Sequence, residues 1–327
     1  MSDSVQPGLE LLPIDVSAYR RGNTGIDYVH RIDSGRPGPD VLINGLTHGN
    51  EFCGAYAVAG LLESDVRPRI GTLTLSLANV EAYQSFDAAR PFESRQLVHN
   101  MNRIWSTHWL DGGSDSPELR RARELRPIVG GAEHILDIHS TAQPMPPFWV
   151  LPNRRENLRA ADAIAAPQLQ LIMPDGLRTG TPLVEYGPHA DPHGPGAAVV
   201  VECGQHFLET TAATAIETAY RFLNYLGLID RPSPPPSGTP SRYQLVDSPM
   251  VKTESFRFVR PLVGLETFGA GELIAIDGND EIRAPCDGCT VFMPTRKPHV
   301  GREAVHLTRP FVHAEKIISR GSAAVID

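Results

Sequence analysis

The sequence predicts an α/β domain, with a central sheet flanked by helices, followed by a small all-β domain. Three observations carry that prediction. Strand-like and helical segments alternate over roughly the first 200 residues, the pattern of a layered α/β unit. Residues 231–240, Arg-Pro-Ser-Pro-Pro-Pro-Ser-Gly-Thr-Pro, form a stiff polar run that can be neither helix nor inner strand. Beyond it, short apolar stretches such as 273–276 and 290–293 are separated by Gly and Pro turns, with almost no helical period. The boundaries are therefore an α/β domain over 1–230, a linker over 231–240 and a C-terminal β-domain over 241–327.

Taken in order, residues 26–34 form a strand, and Val41-Leu42-Ile43 a short buried one that runs into Asn44 and Gly45. Over 51–62 the residues Phe52, Ala55, Tyr56, Ala59 and Leu62 recur at helical spacing. Residues 72–78 alternate small hydroxyl and apolar side chains, which predicts a strand with one buried face. Pro117 opens a basic helix that ends near Gly130 and Gly131, as the preference for proline at a helix start and glycine at its end suggests. Strands follow at 135–138 and 148–151, a helix at 153–166 and an extended segment at 168–173. The unbroken apolar run 197–201 has the character of a central parallel strand. A helix over 209–226, with Ala212, Ile216, Ala219, Phe222, Leu223 and Leu226 on one stripe, closes this half.

Composition narrows the partners. With 41% hydrophobic and 21% charged residues the chain is globular rather than disordered. A formal net charge of −8 gives no broad positive field, so nucleic acid is not an expected partner. The start lacks a basic segment leading into an apolar one, and no run approaches the roughly 18 apolar residues of a membrane helix. No membrane partner and a cytoplasmic location are the resulting expectations, with a small molecule as substrate and assembly as a homo-oligomer left open. Four cysteines make no disulfide framework, and Cys286 and Cys289 flank an Asp287-Gly288 turn, so they are expected to be turn thiols rather than half of a zinc site.

The densest chemical signal is Thr47-His48-Gly49-Asn50-Glu51, directly after a strand and at the start of a helix, where open α/β sheets gather functional groups. A His and a carboxylate three residues apart can reach one cation. Taken alone, a helix-start His and a first-turn Glu capping free amides would be the simpler explanation. His139 ends another buried strand and completes a His, Glu, His set, the ligand composition of a catalytic zinc centre. Asp137 lies two residues earlier, on the same strand face, and could orient a ligand. Glu202 ends the most apolar strand and is the candidate base, with burial raising its pKa and a nearby cation lowering it. The segment from Arg90 to Arg103 is arginine-rich and suits a small anionic substrate. His189, Asp191 and His193 are loop polar residues without a metal role, at most bordering the site.

These residues resemble the succinylglutamate desuccinylase and aspartoacylase family. Gly45 to Glu51 is similar to its Gly-x-His-Gly-x-Glu segment, Asn102-Arg103 to its Asn-Arg pair, Asp137-Ile138-His139 to its third-ligand strand and Glu202-x-Gly204 to its catalytic glutamate. The resemblance implies a zinc carboxypeptidase-like fold, α/β with a mixed central sheet flanked by helices. It also implies a small C-terminal all-β barrel-like domain that partly covers the active-site mouth, matched here by 262–307. By the same resemblance His48, Glu51 and His139 bind one zinc ion, Glu202 acts as base and then proton donor, Arg95 polarises the carbonyl with Arg90 as second candidate, and Asn102 and Arg103 hold a substrate carboxylate. Two departures argue against N-acetylaspartate as substrate. The chain has Asn100-Met101-Asn102-Arg103 where aspartoacylases have Asp-Leu-Asn-Arg, and Asp191-Pro192-His193 where they place an arginine before the glutamate.

The expected activity is zinc-dependent amidohydrolysis: deacylation of a small N-acyl amino acid or related amide. The rivals are a metallocarboxypeptidase acting on peptide C-termini and a catalytically silent zinc-binding protein of the same fold.

Overall fold

The computed structural model describes residues 8–176, 179–194, 196–232 and 238–311. In chain order the elements are β1 (Val29–Asp33), β2 (Asp40–Gly45), α1 (Cys53–Glu63), β3 (Thr72–Leu77), α2 (Val80–Gln84), α3 (Thr107–Leu110) and α4 (Pro117–Gly131). Then come β4 (His134–Thr141), β5 (Phe148–Pro152), α5 (Arg155–Ile164), β6 (Leu169–Met173), β7 (Ala198–Gln205) and α6 (Glu209–Tyr225). Past α6 the described residues form strands: β8 (Ser241–Asp247), β9 (Arg257–Phe258), β10 (Thr267–Phe268), β11 (Leu273–Asp277), β12 (Asp280–Arg283), β13 (Cys289–Phe292) and β14 (His306–Pro310).

Eleven of these strands make one mixed sheet in the order β1-β3-β2-β4-β7-β5-β6-β8-β14-β13-β10, and β12-β11-β9 make a small second one. The neighbours β3, β2, β4 and β7 run parallel, and β5 reverses against β7. β7 carries the apolar run 198–201 at the centre and is buried throughout, as a strand covered on both faces must be. Helices α1, α5 and α6 pack on one face, where Leu61, Ile164 and Phe222 meet Leu75, Ile138 and Val201. Helix α4 lies against the other with Leu119, Leu125 and Val129. It starts where its sequence says it should: Pro117 occupies the first turn and the Ser116 hydroxyl accepts from the Leu119 amide at 3.1 Å.

β3 differs from expectation. Its alternation predicts one wet face, yet all six residues are buried. The strand lies between β1 and β2, its leucines facing the α1 core, and on the other face the Arg121 guanidinium of α4 donates to the carbonyls of Leu77 and Ala78 at 3.0 Å each. Thr and Ser are small enough to be buried there under a neighbour that the local pattern cannot reveal.

Residues 233–237 of the expected linker lie outside the described residues, as do 312–327 of the C-terminal segment. β8 then pairs in parallel with β6, from Leu169 with Ser241 to Ile172 with Gln244. The strands past the linker thus extend the main sheet. Leu245 and Phe292 join the core on the α4 face, while Phe268, Ile274, Val291 and Leu307 form a smaller core of their own. Among the described residues no helix is long and apolar enough to cross a membrane.

One close approach fixes α1 on the sheet. A Cβ on Gly54 would lie 2.8 Å from the Gly45 Cα, and one on Gly45 only 2.6 Å from the Gly54 carbonyl oxygen. Gly54→Ala should therefore destabilise the protein by about 1–3 kcal/mol. Urea unfolding measures this, and an unchanged midpoint would contradict the contact.

Candidate metal centre

Because β2, β4 and β7 are parallel, their carboxyl ends meet at one edge of the sheet. The register sets Asn44 beside Asp137 and His139 beside Glu202, so these four side chains share a face. After β2 the chain turns at Leu46, which takes a left-handed conformation with φ of 59°. That conformation costs roughly 1 kcal/mol for a residue with a side chain. Gly49 follows, where a Cβ would run into the Ser94 carbonyl and lie 2.5 Å from the Tyr83 nitrogen. The Gly49 amide donates to the Arg95 carbonyl at 3.0 Å. The loop carrying Arg95 is in this way laid directly on the loop carrying His48 and Glu51.

Glu51, 1% exposed, is the hub. Its Oε1 lies 2.8 Å from His48 Nδ1 and its Oε2 2.9 Å from His139 Nδ1. The outer nitrogens are held elsewhere. His48 Nε2 is 2.9 Å from Asn100 Oδ1, and His139 Nε2 is 2.7 Å from Asp137 Oδ2. Asp137 is itself fixed at Oδ1 by Asn44 Nδ2 and Thr47 Oγ1, both donating at 2.8 Å. The Ser140 amide adds a bond to Glu51 Oε2 at 3.2 Å. Arg95 donates from Nη1 to Glu51 Oε1 at 2.9 Å, and its Nη2 lies 3.0 Å from His48 Nε2.

This arrangement fits a divalent metal. One ligand atom from each of His48, Glu51 and His139 falls within 4.8 Å of the others, and all three residues are buried. On His139 the outer acceptor Asp137 favours the tautomer that leaves Nδ1 free to coordinate, the support that metal-binding histidines normally have, while His48 Nε2 faces both the Asn100 oxygen and the Arg95 guanidinium donor. Two imidazoles and one carboxylate are also the donor set of catalytic zinc.

Charge is distributed unevenly. Burial, with Arg95 alongside, pushes His48 down to about 4. Burial also opposes charge on His139, but Asp137 and Glu51 outweigh it and hold the ring well above the ordinary histidine value. For Glu51 burial is likewise overcome, by the two imidazoles, and its carboxyl sits well below the usual range. Glu202 goes the other way: burial first, and then the negative charge of Glu51, push it up to about 8. Among the described residues its buried Oε2 has no hydrogen-bond partner.

Of the other residues singled out by sequence, Arg95 reaches the cluster with a side chain 40% exposed, whereas Arg90 stays on the surface between Asp87 and Glu93. Asn102 accepts from the Leu183 amide through Oδ1 at 3.2 Å, and Arg103 pairs with Glu303, from beyond the linker, at 3.2 Å. His189, Asp191 and His193 do not border the site. His189 Nε2 is 3.0 Å from the Ala132 carbonyl, just before β4, and its own carbonyl accepts from Arg154, just after the reversed strand β5. Both contacts mark the opposite edge of the sheet. Cys289 is buried at the start of β13 and Cys286 half-buried before the turn.

Three residues near the cluster had no role in the sequence analysis. Asn100 was visible as a departure from a motif, yet it contacts a ligand directly. Ser140 and His206 form a buried pair at 2.8 Å beside His139, and burial pushes His206 down to about 3. The available signal was position alone, since His206 follows Glu202 by four residues.

Comparison with known proteins agrees with this geometry. Residues 37–186 match the model of the succinylglutamate desuccinylase/aspartoacylase catalytic domain. A probable aspartoacylase of Parasynechococcus marenigrum (strain WH8102) is 34% identical over 161 residues, 46% of this chain and 50% of that protein, so the chain spans about half the length of the curated relative it matches. Among solved structures, succinylglutamate desuccinylase from Vibrio cholerae superposes with a TM-score of 0.69 at 15% identity, over 87% of this chain and 86% of that one. The product-bound ectoine utilization protein EutE (DoeB) from Ruegeria pomeroyi gives 0.61 at 17% identity, over 88% and 92%. At such identities the structural likeness establishes the fold.

Two outcomes follow from the charges. Asp137 and Glu51 favour the protonated form of His139, so uptake of a divalent ion at Nδ1 should release protons, measurable by titration calorimetry in buffers of different ionisation heat. Buffer-independent heats would count against Nδ1 coordination. In metal-free protein, Glu202 ionises when unfolded near 4.5 but stays protonated when folded up to about 8. The stability of the wild type relative to Glu202→Gln should therefore decline as pH rises through that window and level off above it, as denaturant titrations would reveal. A pH-independent difference would contradict the burial of this carboxyl.

Proposed function

The chain belongs to the succinylglutamate desuccinylase/aspartoacylase family, and from that membership and the geometry above we propose that it is a zinc-dependent amidohydrolase. It removes the acyl group from a small N-acyl amino acid or related amide in the cytoplasm. The observation that carries this proposal is the convergence of both Nδ1 atoms on Glu51, beside an unpaired and buried Glu202 oxygen on the same strand face.

In this proposal His48, Glu51 and His139 hold the ion. Bound zinc supplies a nucleophilic water near neutral pH and polarises the amide carbonyl. Glu202 takes the proton of the attacking water and delivers it to the departing amine nitrogen. Its raised pKa supports that role, because a base poised near the working pH can both accept and return a proton. Arg95 turns its partly exposed guanidinium from Glu51 to the developing oxyanion. Asn102 keeps its amide nitrogen for a substrate carboxylate, and Arg103 shares that carboxylate with its present partner Glu303.

Small amides are favoured over peptide chains by what lies around the mouth. Besides Glu303 on Arg103, Arg296 stacks 3.9 Å over the Phe92 ring, three residues before Arg95. The region past the linker thus touches the arginine-rich segment at two places, which narrows the approach to Arg95.

Glu202→Gln should keep about one zinc per chain while lowering kcat by about 10²- to 10⁴-fold. Metal analysis together with turnover of an N-acyl amino acid panel and a C-terminal peptide panel checks this. Normal turnover in the variant would refute the role of Glu202, and preference for the peptide panel would favour the carboxypeptidase.

A further inference from the structure

Glu118 lies in the first turn of α4, fully buried at 0% exposure, and among the described residues no Lys, Arg or His is paired with it. A carboxylate in that position is costly unless hydrogen bonds replace its water. It finds them in three consecutive backbone amides. Oε1 accepts from Leu97 at 2.6 Å and Val98 at 3.2 Å, and Oε2 from Val98 at 3.3 Å and His99 at 3.1 Å. Burial alone would raise its pKa, but these amides outweigh it and keep the carboxyl below its ordinary value.

Beside this grip the segment is held only lightly: Gln96 Nε2 donates to the Val98 carbonyl at 3.1 Å, and the His99 ring meets Trp109 edge-on at 5.0 Å. Leu97 and Val98 turn their side chains to solvent, 39% and 56% exposed, so packing does not fix them. Yet both flanks of this segment touch the candidate centre. Arg95, two residues before Leu97, contacts Glu51 and His48, and Asn100, directly after His99, contacts His48.

We propose that Glu118 is a positioning residue for the reaction: by gripping the amides of residues 97–99 it sets the placement of Arg95 and Asn100 against Glu51 and His48. This rests on the amidohydrolase proposal for its catalytic consequence, though the grip itself is independent of it. Glutamine in this place keeps the shape but exchanges one accepting oxygen for an NH2 group, which meets a backbone N–H donor to donor. Aspartate keeps both oxygens on a shorter stem.

The test is a double-mutant cycle in the zinc-loaded enzyme, with hydrogen exchange read in parallel. Glu118→Gln should lower kcat at least about tenfold and change KM by less than about threefold, since the arginine acts on charge that develops after binding. In an Arg95→Ala background the same substitution should cost under about threefold, because its main route of action is already gone. Glu118→Asp should recover part of the loss. Additive losses, or an unchanged kcat, would overturn the proposal.

Exchange of the Leu97, Val98 and His99 amides should quicken in Glu118→Gln while β4 and the centre of α4 stay protected. Unaltered exchange at those three amides would overturn the proposal whatever the turnover. Loss of protection throughout the protein would assign Glu118 a general structural role, overturning it too, and the Glu118→Asp variant repeats the comparison if the glutamine variant fails to fold. Should the wild type hydrolyse no amide, the amidohydrolase proposal fails by itself. Exchange then decides the grip, and zinc affinity, expected to weaken in Glu118→Gln through Asn100 and His48, decides whether it reaches the centre.

Discussion

A single buried carboxylate joining two imidazoles is the contact on which the rest of the site depends. Glu51 faces two ring nitrogens and accepts from the Arg95 guanidinium and the Ser140 amide. Removing one partner from such a cluster leaves a charge stranded in a medium that solvates it poorly, typically a loss of about 3–5 kcal/mol. The surroundings are consistent with that demand. Asn44 and Thr47 fix Asp137, which fixes His139, while Asn100 stands behind His48. A cluster ordered this thoroughly would need little rearrangement to hold an ion, which is how a binding site keeps its affinity from being spent on ordering.

The fold supplies two kinds of support to this cluster. His139 and Glu202 stand on neighbouring central strands, where the ladder fixes their separation. Arg95, Asn100 and Asn102 come from irregular chain laid across the strand ends, and that chain is tied down by side chains rather than by a ladder. For the proposed metal hydrolase this would set His139 and the base Glu202 on the rigid ladder, and His48, Glu51 and the groups assigned to the substrate on loops tied down around it.

Much of this was legible in the sequence. His48 and Glu51 follow an apolar strand, and His139 and Glu202 lie toward the carboxyl ends of two others, so periodicity locates them and the rule for strand ends suggests that they meet. The parallel order of β2, β4 and β7 brings them to one edge. What stayed hidden depends on contacts distant in sequence. β3 looked half-wet because its pattern does not show that Thr72, Thr74 and Ser76 are buried along with the leucines. His189, Asp191 and His193 looked close to Glu202 in number, but β5 reverses direction and their loop returns to the far edge. Asn100 was noticed only as a missing aspartate, since no local pattern says that its amide oxygen faces an imidazole. Glu118 was not singled out, because an acid in a helix's first turn is ordinary and no local pattern says that it reaches the amides of residues 97–99.

The proline-dense run that suggested a clean break between two units has a further implication. Across it, β8 zips onto β6, so the two halves share an unbroken row of main-chain bonds. Severing the chain there would strip a neighbour from β6 and leave its outer amides and carbonyls bare, an adhesive margin prone to recruiting other polypeptides. The amino-terminal half thus has one margin of its sheet sealed by the half that follows.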